Sequence, residues 1–237
     1  MLLWLASYPR SGNTFLRILL RQRYAVRSVC TEFDRQGPPP RTIRRSAVLT
    51  PDYVSAEDPV VPDVTGLKTH ALPPNSTEPA FYVVRDGRDS LVSYAHFALT
   101  QVEGLRLDEI SPGQVTNKVR ELILYPRLNY GTWSQNVEAW TRRPNTRVLR
   151  FEELVARPGE VVDRAIGDIG LNLRLVSDAI PSFEELHRAS GVFFRRGATG
   201  TWPEIFSREL HALFWKHNGT VMERLGYRFS APLKASA

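Results

Sequence analysis

Apolar residues follow two rhythms along this chain. Leu2, Leu3, Trp4, Leu5 and Ala6 form one short run, Val64 to Thr69 a second, Ala80, Phe81, Tyr82, Val83 and Val84 a third, and Thr146 to Phe151 a fourth. Short runs rich in aromatic and β-branched residues, bounded by turn formers, predict strands, and an unbroken apolar run predicts one buried on both faces. Between them the spacing turns helical. Phe15, Ile18, Leu19 and Tyr24 recur at helical intervals from Thr14, and a second helix carries Leu91, Val92, Tyr94 and Ala95 to about Leu99. Trp133, Val137 and Trp140 fall at i, i+4 and i+7 within an amphipathic helix predicted over residues 129–140. Residues 31–62 are proline-rich and read as loop, residues 101–114 are polar, and the remainder is mainly helical with a Gly-containing interruption at 191–200. Strands alternating with helices predict an α/β fold: a single domain over residues 1–237, with a central parallel sheet flanked by helices. Ligands in such folds lie at the carboxyl ends of the strands.

Composition narrows the partners without choosing one. Thirty-one Lys and Arg against 25 Asp and Glu give a net charge of +6, which suits an anion: nucleotide, nucleic acid or acidic lipid. Cys30 is the sole cysteine, so no intramolecular disulfide forms, and a buried structural thiol is expected. The first apolar run stops at Ser7, Tyr8 and Pro9, far short of the ~20 residues that span a bilayer. No membrane span and a cytoplasmic location are therefore expected.

The loops after the strands carry the candidate chemistry. Tyr8, Pro9, Arg10, Ser11, Gly12, Asn13 and Thr14 connect the first strand to a helix N-terminus, where backbone amides and the helix dipole attract an anion. Gly12 admits close backbone approach, Thr14 offers a hydroxyl, and Arg10 a fixed positive charge. An ordinary strand–helix turn fits these residues too. The segment lacks the second glycine and the lysine of a Walker A loop. Lys68, Thr69 and His70 end the second strand: an imidazole titrating near neutrality can take a proton from a hydroxyl, beside a charge that steadies a transferring anion. A structural histidine remains open, and His96, His187, His211 and His217 have no comparable neighbours. Arg85 ends the third strand and Ser93 follows eight residues later, a fork and a hydroxyl suited to a phosphate monoester. Asp86, Arg88 and Asp89 read as helix caps and local ion pairs. Arg195, Arg196 and Gly197, followed by Gly200 and Trp202, form an anion clamp or a solvated basic loop.

These four segments, in this order, resemble the PAPS-dependent sulfotransferase family of cytosolic and bacterial small-molecule enzymes, PAPS being 3′-phosphoadenosine 5′-phosphosulfate. Tyr8 to Phe15 is similar to the family's Tyr-Pro-Lys-Ser-Gly-Thr-Thr-Trp loop, which is P-loop-like and holds the 5′-phosphosulfate. Lys68, Thr69 and His70 match the strand end bearing its catalytic histidine. Arg85 and Ser93 keep the spacing of its 3′-phosphate site, and Arg195, Arg196 and Gly197 resemble its Arg-Lys-Gly loop. The resemblance implies a transferase with His70 as general base, helped by Arg10 and Lys68. It implies PAPS as co-substrate without a metal, and cofactor contacts from Arg10, Ser11, Gly12, Asn13, Thr14, Phe15, Arg85, Ser93, Phe151, Phe183, Arg195, Arg196 and Gly197. Phe15, Phe151 and Phe183 enter as adenine contacts, although each also suits a core. Arg10 replaces the family's usual lysine. Pro203, Ser207, Arg208 and Ala212 replace the animal enzymes' dimer motif, so no oligomeric state follows. The partner implied is a small-molecule or natural-product acceptor, not a nucleic acid. The alternatives are a P-loop-like ATP-dependent kinase and a basic nucleic-acid-binding protein.

Overall fold

The computed structural model describes residues 1–31, 64–127, 129–189 and 199–230. Five strands, β1 (Leu2–Ser7), β2 (Arg27–Cys30), β3 (Thr65–Thr69), β4 (Ala80–Val84) and β5 (Thr146–Arg150), pair in the order β2-β3-β1-β4-β5, every pairing parallel. The described α-helices are α1 (Asn13–Tyr24), α2 (Gly87–Phe97), α3 (Pro112–Leu124), α4 (Trp133–Arg142), α5 (Phe151–Ala156), α6 (Pro158–Asp168), α7 (Phe183–Ala189) and α8 (Arg208–Arg224). The expected α/β architecture is present.

The period-two alternation of strand side chains sorts the core into two layers. Leu3, Leu5, Phe81, Val83 and Leu149 point toward α1 and α6, where Leu16, Leu19, Val162 and Ala165 bury them. Ala6, Ala80, Tyr82 and Val84 point the other way, against Leu91, Val119, Trp133, Trp140 and Phe214 from α2, α3, α4 and α8. The helices that follow the neighbouring strands β1 and β4 thus leave toward opposite faces. Such a divergence opens a crevice at the carboxyl edge of the sheet, and the loops after β1, β3 and β4 meet there.

Four expectations need correcting. β2 was not foreseen: its four residues form an edge strand defined by pairing with β3 rather than by an apolar pattern. The helix expected over 129–140 starts at Trp133, because Gly131 has a left-handed φ of 67° and Thr132 caps the helix, its hydroxyl accepting from the Gln135 amide. Phe151 does not end the fourth strand; it opens α5. Cys30 is only half-buried, so it is not the buried thiol expected. Among the described residues no helix is long and apolar enough to cross a membrane.

Candidate functional site

The turn after β1 is shaped by its backbone. Arg10 (φ 66°) and Gly12 (φ 107°) both adopt left-handed conformations, unusual for arginine and natural for glycine. The Ser11 amide donates to the Tyr8 carbonyl at 3.3 Å and Asn13 Nδ2 to the Leu5 carbonyl at 2.8 Å. These bonds tie the turn to its own strand. The α1 N-terminus has Gly12 at the cap with no side-chain bond, and no acidic residue in its first turn, so its own first turn does not neutralise the dipole there. Ser11 is buried, its hydroxyl 3.2 Å from that of Ser90 on α2. Thr14 is half-buried, and Phe15 is 9% exposed within the layer beneath α1.

His70 lies one residue beyond β3. Its Nδ1 is 2.8 Å from the Ser7 carbonyl and 3.3 Å from the Ser7 hydroxyl. A carbonyl can only accept, so Nδ1 carries the hydrogen and Nε2 keeps its lone pair. Asn136, fully buried on α4, holds this stretch in place: Nδ2 donates to the His70 and Tyr130 carbonyls at 2.9 and 3.1 Å, while Oδ1 accepts from the Tyr82 hydroxyl at 2.8 Å. Trp140 Nε1 donates to the Ala71 carbonyl at 2.8 Å. Lys68 is half-buried at the end of β3, in register with Leu5 and Cys30.

The loop after β4 is shaped by charge. Asp86 caps α2, accepting from the Arg88 amide at 2.9 Å, and forms a buried ion pair with the Arg88 guanidinium at 2.6 Å. Arg88 stacks on Trp202 at 4.1 Å and approaches His211 Nε2 at 3.4 Å. His211, set aside at the outset, is therefore part of this cluster; burial and then the Arg88 charge hold its pKa below the ordinary histidine range. Glu152 accepts from the Asp86 amide and the Tyr227 hydroxyl, each at 3.0 Å.

Arg85 is the junction. Its Nη1 donates to the Arg10 carbonyl at 3.3 Å, its Nη2 is 3.9 Å from Asp89 Oδ2, and its guanidinium lies 4.6 Å from the Phe151 ring centroid. Burial pulls its pKa below the usual arginine range, with Asp89 foremost among the carboxylates opposing that shift. Phe151 also packs on Gly12, so closely that a Cβ there would enter its ring. Arg10 Nε donates to the Ser93 hydroxyl at 3.3 Å, and its guanidinium lies 5.1 Å from the Phe97 ring. Beyond Phe97 stand Tyr94, Tyr8 and Tyr130, with Tyr94 and Tyr130 joined hydroxyl to hydroxyl. Burial pushes the Tyr8 and Tyr130 phenols above their ordinary range and so keeps them neutral.

Arg10, Ser11, Gly12, Arg85, Ser93 and Phe151 are thus brought together by direct contacts, and His70 joins them through Ser7. Phe183 opens α7 on the surface, 41% exposed, with its ring 5.7 Å from His187. Arg195, Arg196 and Gly197 lie outside the described residues. Asp89 and Asn136 were missed as partners of the site. Asp89 stands four residues before Ser93, a spacing that puts these two on one side of α2 and was readable in advance; Arg85 precedes the helix by two residues.

The strand-end loops thus bring together an uncapped helix N-terminus, an imidazole whose Nδ1 donates to a backbone carbonyl, and two arginines, Arg10 bonded to the Ser93 hydroxyl and Arg85 to the Arg10 carbonyl. Comparison with known proteins gives the class: a sulfotransferase domain matches residues 2–226, so the chain belongs to the sulfotransferase family, whose members carry out sulfuryl transfer. Curated relatives include sulfotransferase 1A1 of Bos taurus, 24% identical over 96% of this chain and 85% of that protein, and sulfotransferase 1E1 of Homo sapiens, 25% identical over 95% and 85%. The fold matches mouse sulfotransferase SULT7A1, solved with PAP, at a TM-score of 0.65 and 18% identity, covering 95% of this chain and 88% of that one. It also matches a retinol dehydratase solved with retinol and PAP, at 0.58 and 17%, covering 97% and 83%.

Proposed function

We propose that this chain moves the sulfuryl group of PAPS to the hydroxyl of a small-molecule or natural-product acceptor, with His70 as general base. The observation that carries the reading is the pair of contacts joining three strand-end loops: the Ser7 carbonyl on His70 Nδ1 at 2.8 Å and Arg10 on Ser93 at 3.3 Å. Since Nδ1 is occupied as a donor, Nε2 takes the acceptor proton as the new oxygen–sulfur bond forms. The bond from sulfur to the bridging phosphate oxygen breaks in line, and adenosine 3′,5′-bisphosphate departs with that electron pair. The resulting imidazolium is steadied by the same Ser7 carbonyl. Arg10 stays protonated throughout, so it stabilises charge on the leaving phosphate rather than donating a proton. Lys68, at the end of β3, adds positive charge on the side of His70. Ser11, Gly12, Asn13 and Thr14 supply the anion turn for the 5′ end, Arg85 and Ser93 take the 3′-phosphate, and Phe151, flanked by Gly12 and Arg85, offers its ring to the adenosine.

A 3′-phosphate would add charge-assisted hydrogen bonds to the Arg85 guanidinium and the Ser93 hydroxyl that nucleotides lacking the group cannot make, which favours PAPS over them. Phe97 and the tyrosines packed with it lie beside Arg10, an aromatic surround suited to an acceptor with a ring or other apolar surface. Retinol in the complex of the structurally similar dehydratase is an acceptor-sized molecule of that kind.

Calorimetry tests the donor: adenosine 3′,5′-bisphosphate should bind more tightly than ATP with magnesium, and a preference for ATP would turn the reading toward a kinase. Isotope-labelled PAPS with a library of phenols, alcohols and amines, read by mass spectrometry, tests the transfer. His70→Ala should lower turnover by about 10²–10⁴-fold and leave nucleotide affinity within about twofold. Turnover near the wild-type rate would remove His70 as base.

A further inference from the structure

Asp89 is 2% exposed, yet its carboxylate contacts a part of the chain more than a hundred residues away. Oδ2 accepts from the Gly200 amide at 2.6 Å; Oδ1 accepts from the amides of Thr201 and Trp202, both at 3.0 Å, and from the Thr201 hydroxyl at 3.4 Å. Three backbone donors on one carboxylate form a set of charge-assisted bonds that no neutral side chain can reproduce. Capping the turn at Trp202–Glu204 accounts for part of this arrangement. It does not account for the direction in which the same oxygen also faces. Oδ2 lies 3.9 Å from Nη2 of Arg85, just before the helix, and Ser93 follows Asp89 by four residues along one side of that helix.

A carboxylate between two phosphate-binding side chains should repel a dianion. Here its charge is already met by three N–H groups and a guanidinium, so it acts as a fixed strut instead of a competitor. It sets the orientation of Arg85 and fixes how near the Gly200–Trp202 backbone comes to the Arg85–Ser93 face. We propose that Asp89 is a positioning residue for nucleotide specificity, holding Arg85 and the Gly200 turn in the arrangement that accepts a phosphate at the ribose 3′ position and gains little from a nucleotide without one. The proposal rests on the donor assignment above. Residues 195–197 do not enter it.

Asp89→Asn keeps the volume but replaces one acceptor oxygen with an NH2 group, so one set of amides meets a donor. Calorimetry with adenosine 3′,5′-bisphosphate and with adenosine 5′-monophosphate should show the wild-type preference for the bisphosphate reduced at least tenfold in the variant. Affinity for the monophosphate should stay within about twofold. Equal losses for both ligands, the mark of a structural role alone, or an unchanged preference, would overturn the proposal. Should the variant not fold, hydrogen exchange on the wild-type chain decides: the bisphosphate, and not the monophosphate, must slow exchange at Gly200, Thr201 and Trp202. A wild-type chain with no preference for the bisphosphate removes the donor assignment itself, and the role of Asp89 with it. A wild-type preference that survives in the variant removes only the latter.

Discussion

The turns after β1 and β4 are neighbours in the sheet, and each feeds a helix, yet they are built in opposite ways. At α1 the cap is Gly12, with no side-chain bond and no acidic residue in the first turn. At α2 the Asp86 side chain caps Arg88, Asp89 stands in the first turn, and Glu152 accepts the Asp86 amide. A helix start that keeps its dipole uncompensated can take a ligand anion on its backbone. One already satisfied by its own carboxylates cannot, and must present side chains such as Arg85 and Ser93 instead. In the function proposed above, the two anionic ends of one ligand would meet two kinds of receptor on adjacent strands: one backbone, one guanidinium and hydroxyl.

The sharpest challenge to this contrast is Asp86→Ala. It removes a cap and leaves Arg88, 4% exposed, without its buried partner, so unfolding by urea should show a loss of about 3–5 kcal/mol. A loss below about 1 kcal/mol would mean that charge does not organise the second turn. Gly12→Ala comes next. A side chain at φ 107° is strained and would enter the Phe151 ring, so about 2–4 kcal/mol of stability and measurable calorimetric binding of adenosine 3′,5′-bisphosphate should both go. Retained binding would show that the first turn tolerates what its geometry forbids. The smallest effect concerns pH. The pKa of His211 is held low in the folded protein, so below pH ~6.5 the unfolded chain binds a proton that the folded one resists, and stability falls as pH drops. His211→Gln should flatten that acid-side slope by less than about 1.4 kcal/mol per pH unit, read as urea midpoints at pH 7.5 and 5.5. An identical slope in both proteins would separate His211 from the charge network of the second turn.

Much of this site was legible in the chain because its parts are local. Arg10 to Thr14, Lys68 to His70, and Arg85 with Ser93 are each contained in one strand end and the loop or helix that follows it, where sequence neighbours stay close in space. What was not legible depends on distant partners. Phe151 was read as ending a strand, and nothing in its neighbours announces that its ring closes on Gly12, 139 residues earlier. Asp89 was read as a local cap because its true partners, Gly200 to Trp202, lie beyond any local window. Asn136 was invisible for the same reason: its amide bridges two carbonyls and a tyrosine that only the folded sheet brings together. β2 escaped because an edge strand of four residues is specified by the neighbour it pairs with.

The four-residue interval from Asp89 to Ser93, both on the helix that Arg85 precedes, makes the helix itself a ruler. Adding or deleting a single residue between Asp89 and Ser93 would swing the serine about 100° around the axis, out of line with the arginine that precedes it. The side chains between them, Ser90, Leu91 and Val92, are all buried, and the length of the segment is itself a hidden part of the protein's chemistry: a one-residue slip would be felt as a change of ligand as well as of shape.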